Sequence, residues 1–186
     1  MNRPARTAHA RRILIAGVGN VLQGDDGFGV VAAQRLMGRT DLAPAAKVIE
    51  TGIGGMSLIQ ELMLGYDALI ILDAFKKGEA PGRLYLLEPE LPDLSHLDAH
   101  ELRDYFSDTH YATPMRALTL LARIDSLPPT VRIVGCEPEA IDDLKIGLSA
   151  PATAAVDRAV VMVVDWVNDY LNTVADRGTT RVKHEH

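Results

Sequence analysis

Residues 13–29 read ILIAGVGNVLQGDDGFG and carry the clearest structural signal in the chain. A short apolar run is followed by a glycine-rich turn, and apolar residues then recur at the spacing of a helix. We therefore predict a buried strand over 12–18 and a helix from Asp26 to Met37. A strand–turn–helix unit of this kind opens an α/β sheet, in which binding sites are built at the carboxyl ends of the strands.

The rest of the chain alternates short apolar strands with amphipathic helices, which predicts a mostly parallel sheet covered by helices on both faces. Residues 89–112 are the least regular part. The remaining strands are predicted over 46–50, 68–72, 84–87 and 131–134, and the remaining helices over 56–64, from Pro114 after a Thr113 cap, and from Pro151 to about Leu171. The length suits one domain over 1–186, with flexible termini over 1–11 and 176–186.

Composition argues against several classes of protein. The net charge of −6 disfavours a nucleic-acid binder, which normally presents a basic face. No apolar stretch approaches the ~18 residues of a membrane-spanning helix. Arg11 and Arg12 precede an apolar run as in an export signal, but no small-residue cleavage site follows before Asp25 and Asp26. The single cysteine, Cys136, suits a reducing compartment, and we predict a cytoplasmic protein without membrane insertion.

The turn after the first strand lacks the residues of a nucleotide site. A dinucleotide fingerprint would need a glycine where Leu22 stands, and a phosphate-binding loop would need a Lys-Ser or Lys-Thr pair after its last glycine. Asp25 and Asp26 suit a cation or acid–base chemistry better. Because adjacent side chains diverge, at most one of the two is expected to point into the site. The alternative is that both acids only stabilise the start of the following helix.

A second acid, Asp73, directly follows the apolar run 68–72, so its carboxylate is expected at the same edge of the sheet. A capping or turn role is the alternative for either acid alone. His96, His100 and His110 lie in one region and could add an imidazole to a metal site. His96 and His100 have the spacing of a helical pair, whereas His110 precedes a predicted helix. A solvated histidine is the alternative for each, and spacing does not choose among the three.

Other nucleophiles are disfavoured. Cys136 ends the last strand with no neighbouring histidine to activate it, so a small buried side chain is the better interpretation. Ser57 and Ser149 lack the sequence context of a serine hydrolase nucleophile.

Several motifs, taken in order, resemble those of the hydrogenase maturation endopeptidases. They span residues 12 to about 171, nearly the whole chain, and the ordered set is more specific than any single motif. The first motif is GVGNVLQGDDGFG at 17–29, followed by ETGIGGM at 50–56, LIILDA at 69–74, VGCEPE at 134–139 and IGLS at 146–149.

The resemblance implies a three-layer α/β fold with a twisted, mostly parallel five-stranded sheet flanked by helices on both faces. It also implies an endopeptidase that removes the C-terminal peptide of the nickel-loaded large-subunit precursor of a nickel–iron hydrogenase. Carried over motif by motif, the catalytic and metal-binding residues are Asp26, Asp73 and His110. His100 is the reserve ligand, because the sequence YATP after His110 departs from the Gly-Leu-rich stretch usual in the family.

The same resemblance implies that nickel arrives with the precursor, held by the precursor's cysteines, and acts as a tag for cleavage. A metal-dependent mechanism and an aspartic-type mechanism with a carboxylate as general base both stay open. The turn at Gly52, Gly54 and Gly55 is expected to contact the substrate, with a purely structural turn as the alternative. Two other functions stay open: a non-catalytic nickel checkpoint that binds the precursor, and a related-fold peptidase that acts on another protein.

Overall fold

The computed structural model describes residues 11–53, 55–107, 113–141 and 144–181. In chain order, its elements are β1 (Ile13–Val18), α1 (Phe28–Met37), β2 (Ala46–Gly52), α2 (Gly55–Leu62), β3 (Ala68–Ala74), β4 (Leu84–Leu87), α3 (Ala99–Ser107), α4 (Pro114–Arg123), β5 (Thr130–Cys136) and α5 (Ala150–Arg181). One turn of 3₁₀ helix, Gly24–Gly27, connects β1 to α1.

The five strands form one sheet in the order β2-β1-β3-β5-β4. Strand β1 pairs in parallel with β2 and β3, and β3 pairs in parallel with β5. Only the edge strand β4 runs antiparallel, against β5. The predicted α/β fold with a mostly parallel five-stranded sheet is therefore confirmed. Because the parallel strands share a direction, the turns after β1, β2, β3 and β5 meet at one edge of the sheet, which we call the carboxyl edge.

The sheet is buried on both faces, which explains its continuous apolar strands. On one face, Ile13 and Ile15 of β1 belong to a core that also contains side chains of α1 and α5. On the other face, Leu14 and Ala16 pack with side chains of α2 and α4. Each large aliphatic side chain buried in this way contributes about 1.5–3 kcal/mol to folding. The middle strands β1 and β3 are consequently a rigid support for the residues that follow them.

Helix α3 lies within the stretch 89–112, for which the sequence predicts no regular structure. Its start is a reciprocal cap: the Asp98 carboxylate accepts hydrogen bonds from the amides of His100 (2.8 Å) and Glu101 (2.9 Å). The Glu101 carboxylate in turn accepts from the Asp98 amide at 2.9 Å. The spacing of Asp98 and Glu101 matches that of a capping box, a signal that the sequence contains but that our prediction of this stretch did not use.

Two predicted helix boundaries are corrected. Helix α1 begins at Phe28 rather than Asp26, because residues 24–27 form the separate 3₁₀ turn. Helix α5 continues to Arg181, ten residues beyond the predicted end near Leu171. Of the predicted flexible termini, residues 1–10 and 182–186 lie outside the described residues.

Two glycines allow α1 to approach the strands closely. A Cβ at Gly29 would lie 2.0 Å from the carbonyl oxygen of Leu72 and 2.3 Å from that of Val18. A Cβ at Gly17 would lie 2.4 Å from the carbonyl oxygen of Gly29. Side chains at either position would push the start of α1 away from β1 and β3. The glycines therefore bring the turn that precedes α1 next to the end of β3.

Candidate active site at the carboxyl edge

The adjacent acids Asp25 and Asp26 lie on the 3₁₀ turn between β1 and α1, and they have different environments. Asp25 is only 2 % exposed, and its carboxylate faces the segment that follows β5. It accepts hydrogen bonds from the Glu139 amide (2.8 Å), the Ser149 amide (2.6 Å) and the Ser149 hydroxyl (2.7 Å). Asp25 thus fastens the 3₁₀ turn to the start of α5, and its side chain does not cap α1.

Asp26 is partly exposed and is held by the turn that precedes it. Its carboxylate accepts a hydrogen bond from the backbone amide of Asn20 at 2.7 Å. Gly19 adopts φ +127°, and a Cβ there would lie 1.8 Å from the Asp26 carbonyl oxygen, so only glycine fits. This close approach fixes the direction of Asp26. The two acids diverge as expected, and Asp26 is the one that faces the end of β3.

Asp73 stands near the end of β3, where its backbone pairs with Gly135 of β5. The pKa of Asp73 is raised from its ordinary 3.8 to about 7. Burial is the main cause, and the negative charge of Asp26 adds to it, whereas the hydrogen bond from the Ala74 amide acts in the opposite direction. Folding thus brings the charge of Asp26 near enough to act on the Asp73 carboxyl. Such a pair can bind a cation between its oxygens or share a proton.

We predict that Asp73→Asn stabilises the metal-free protein while removing a carboxylate of the candidate site. Because the pKa of Asp73 is raised in the folded state, folded protein holds a proton there between about pH 4 and pH 7 that the unfolded chain releases. Ionising Asp73 therefore lowers the free energy of unfolding progressively as the pH rises from about 4 to about 7, and the loss is complete above about pH 7. Asparagine keeps an acceptor for the Ala74 amide and has no charge. We expect its Tm to exceed that of wild type by on the order of 5 °C at pH 8.

The same variant should show almost no advantage at pH 4, where Asp73 is protonated in folded wild type. Thermal unfolding monitored by circular dichroism in the presence of a chelator measures both values. An equal effect at pH 4 and pH 8 would contradict the assignment of the effect to the Asp73 charge.

A cleft of about 470 Å³ opens beside Asp73. Its size lies in the range of sites that hold small molecules or peptide side chains. The lining is mainly apolar and comes from β3 and the residue after it, the end of β4 and the segment after it, the start of α4 and the middle of β5: Ile71, Asp73, Phe75, Leu87, Glu88, Pro89, Glu90, Thr113, Pro114, Met115, Leu118 and Ile133. Asp73 therefore places a carboxylate on a mainly apolar lining, which also includes Glu88 and Glu90.

Glu137, directly after β5, fixes one side of this cleft. Its carboxylate is 3 % exposed and accepts hydrogen bonds from the amides of Lys77 (3.0 and 2.9 Å) and Gly78 (2.9 Å) and from the Tyr85 hydroxyl (2.8 Å). Burial alone would raise the pKa of Glu137, but these hydrogen bonds outweigh it and hold the pKa below its usual value. The loop after β3, which carries the cleft residue Phe75, is anchored in this way.

The three candidate histidines have different outcomes. His110 lies outside the described residues, so its place relative to Asp26 and Asp73 stays a prediction. His96 and His100 do not form the helical pair that their spacing suggests, because α3 begins only at Ala99. His100 is exposed, and its Nδ1 lies 3.1 Å from the Asp104 carboxylate. Within the described ranges, no group of three or more His, Cys, Asp or Glu side chains is placed to hold a metal ion.

The glycine turn after β2 is only partly described, since Gly54 lies outside the described residues. Gly52 adopts φ +56°, and its carbonyl accepts a hydrogen bond from the Gly19 amide at 3.1 Å. Gly55 begins α2. These contacts tie the β2 turn to the β1 turn at the carboxyl edge, and a role in substrate binding stays a prediction.

Cys136 and Ser149 have the structural roles that their sequence contexts indicate. Cys136 is fully buried, and burial, together with the nearby charge of Asp25, raises the pKa of its thiol to about 12. The Ser149 hydroxyl donates to Asp25 and accepts from the Ala152 amide at 3.3 Å, at the start of α5. Neither group has the environment of an activated nucleophile.

Among the described residues, no helix combines the length and the hydrophobicity that crossing a bilayer requires.

Comparison with known proteins identifies the family to which this chain belongs. The model of the family described as hydrogenase maturation protease matches residues 30–166. This match covers more than half of the sequence, and the chain therefore belongs to the hydrogenase maturation protease family. It is accordingly a hydrolase of the endopeptidase class, and a non-catalytic checkpoint is not favoured.

Individual relatives agree with this assignment. Hydrogenase expression/formation protein HoxM of Cupriavidus necator is 32% identical over 149 residues, which cover 80% of this chain and 70% of that protein. Hydrogenase 2 maturation protease of Escherichia coli is 31% identical over 157 residues, which cover 82% of this chain and 88% of that protein. The solved structure of hydrogenase maturating endopeptidase HybD from Escherichia coli superposes with a TM-score of 0.68 at 27% identity, over 86% of this chain and 93% of that one.

Proposed function

We propose that this endopeptidase removes the C-terminal peptide from the large-subunit precursor of a nickel–iron hydrogenase, after the precursor has received nickel. The observation that carries the proposal is the pair Asp26 and Asp73, which share one edge of the sheet beside an apolar cleft. Family membership supplies the protease activity. The carboxylate pair supplies a reason for metal dependence, because two close acids repel each other until a cation lies between them.

Nickel is part of the substrate in this proposal. The precursor's cysteines hold the ion, and Asp26, Asp73 and His110 complete its coordination when the precursor docks. Carboxylate oxygen and imidazole nitrogen are suitable nickel donors. Two carboxylates and one imidazole are too few donors to hold the ion tightly without the precursor. The protease would therefore recognise nickel only in its loaded carrier, and an empty precursor would lack this anchor.

The cleft beside Asp73 is proposed to receive the precursor chain next to the scissile bond. Its apolar wall suits aliphatic side chains, and its position brings a bound peptide against the carboxylate that β3 presents. Holding the peptide and the nickel centre at adjacent sites fixes the carbonyl relative to the attacking water. Such positioning accounts for a large share of the rate in many enzymes.

The loops that carry the pair are fastened by residues that follow β5, so both carboxylates are held in place before substrate arrives. Asp25 anchors the turn that bears Asp26, and Glu137 anchors the loop that follows Asp73. The cost of ordering these loops is met during folding rather than at binding. The arrangement favours discrimination between a loaded and an empty precursor, because the ligands cannot move far to compensate for a missing ion.

Intact-mass analysis of the precursor tests the proposal. Large-subunit precursors purified with and without nickel are incubated with the protease, and the mass of each is followed with time. We expect a short C-terminal peptide to be lost from the nickel-loaded form alone. Cleavage of both forms at equal rates would reject nickel recognition and assign the carboxylate pair to acid–base catalysis. A stable complex whose mass never changes would reject the protease function for that precursor.

The cytoplasmic location drawn from the lone cysteine stays a prediction. It is consistent with this proposal, because a precursor that still awaits processing must meet the protease in the same compartment.

A further inference from the structure

A group of exposed large hydrophobic side chains lies at the carboxyl edge. Of twelve large hydrophobic side chains exposed in the described residues, six follow the carboxyl ends of β1, β2 and β5. We call these six the apolar rim: Val21, Leu22, Ile53, Met56, Leu144 and Ile146. Exposed aliphatic groups scattered singly need no explanation, but six at the edge that carries the carboxylate pair indicate a binding surface.

Leu144 and Ile146 are the most exposed members of the rim, at 87% and 84%. They are held in place by Lys145, whose amide donates to the Leu22 carbonyl at 2.9 Å and whose carbonyl accepts from the Gly24 amide at 2.7 Å. Residues 23 and 145 form a parallel bridge. Since side chains alternate along an extended segment, and that of Lys145 packs over Gly24, the two aliphatic chains project away from the protein.

The rim is continuous with the candidate active site. Leu22 lies in the same connection between β1 and α1 as Asp26, and the Gly19 amide joins this connection to the β2 turn through the Gly52 carbonyl. No rim residue lines the cleft beside Asp73. A short peptide tail fits one cleft, whereas aliphatic groups presented by three separate segments suit the broad surface of a folded protein.

We propose that the apolar rim docks the folded body of the protein substrate, while the cleft receives the tail that is cut. This inference rests on the proposed function and adds a second contact area to it. Rim contacts act on affinity rather than on chemistry, because they lie away from the reacting peptide bond. Loss of the rim should therefore raise KM and leave kcat almost unchanged.

The double variant Leu144→Asp/Ile146→Asp tests the rim. The matched control is Met63→Asp/Leu64→Asp, which adds the same charge in the turn that follows α2, outside the carboxyl edge. Its two side chains are 63% and 61% exposed. Steady-state processing of the nickel-loaded precursor is measured for both and for wild type. We expect the rim variant to raise KM at least about 10-fold, as loss of central interface residues does. The control should stay within about 2-fold of wild type, as expected outside an interface.

Equal KM values for wild type and the rim variant would overturn the inference while leaving the proposed function intact. If wild type cuts no precursor, the proposed function fails instead. Should the double variant unfold, Ile53→Asp tests the same rim on a separate segment, where the side chain is 72% exposed. Size-exclusion chromatography without precursor tests whether a second copy of this chain binds the rim instead. A wild-type dimer that becomes a monomer in the rim variant, with unchanged KM, would assign the rim to self-association.

Discussion

Replacing Asp26 by asparagine is expected to slow removal of the precursor's C-terminal peptide by at least about 100-fold, the usual scale for losing one essential acid–base or metal-binding group. The fold should survive, because the contact that Asp26 makes in the structure is as acceptor from the Asn20 amide, and an asparagine oxygen can accept the same hydrogen bond. What is lost is the negative charge that faces Asp73. The measurement is single-turnover processing of nickel-loaded precursor, followed by intact mass.

Two accompanying measurements make this result interpretable. The thermal midpoint of Asp26→Asn should lie within about 2 °C of wild type. The side chain is partly exposed and keeps its hydrogen bond in the variant, so the change affects stability little. Asp157→Asn is the matched control. Asp157 is an exposed acid of α5 that pairs with Arg35 in the last turn of α1, away from the 3₁₀ turn that carries Asp26. Processing at the wild-type rate by folded Asp26→Asn would remove Asp26 from the site and with it the proposed nickel contact.

Replacing the neighbouring acid by alanine, Asp25→Ala, is expected to lower the free energy of unfolding by about 3 kcal/mol. The carboxylate is buried and accepts three hydrogen bonds from Glu139 and Ser149. Without it, the Glu139 and Ser149 amides lose their acceptor inside the protein, which costs more than the mean value of a hydrogen bond. Urea denaturation followed by circular dichroism measures the change. Activity should fall as well, because the turn that holds Asp26 loses its attachment to α5.

Asp157→Ala is the control for charge alone, and it should cost at most about 1 kcal/mol because its ion pair is exposed. The loss of unfolding free energy in Ser149→Ala should lie between those of Asp157→Ala and Asp25→Ala, since it removes one of the three hydrogen bonds to Asp25. In the double variant the two effects should not add, because both changes remove the same contact. An Asp25→Ala protein as stable as wild type would contradict the anchoring role.

The opposite expectations for two adjacent acids follow from their position on one turn of 3₁₀ helix. Successive side chains on such a turn point in different directions, so Asp25 faces the protein and Asp26 faces the carboxyl edge. One is fully hydrogen-bonded and buried, which is typical of a structural carboxylate. The other lies partly exposed near a second acid with a raised pKa, which is typical of a functional one.

The sequence by itself determined the sheet and its site edge. The apolar runs at 13–18 and 68–72 predicted buried strands, because only a strand covered on both faces needs continuous apolar residues. Glycines and acids after these runs predicted the edge where a site would form, and the ordered motifs gave the family. The start of α3 was also encoded, in the spacing of Asp98 and Glu101, although the pattern of residues 89–112 did not predict it.

Only the tertiary structure decided that the two adjacent acids have different environments. The resemblance pointed to Asp26, but local sequence does not show why the two acids differ. Their environments depend on Ser149, which is 124 residues from Asp25 in the chain, and on the charge interaction of Asp26 with Asp73. The raised pKa of Asp73 likewise arises from burial and from a charge brought near by folding. The apolar rim has the same origin. Its six side chains come from three distant segments, and nothing along the chain indicates that they share an edge until parallel strands bring their ends together.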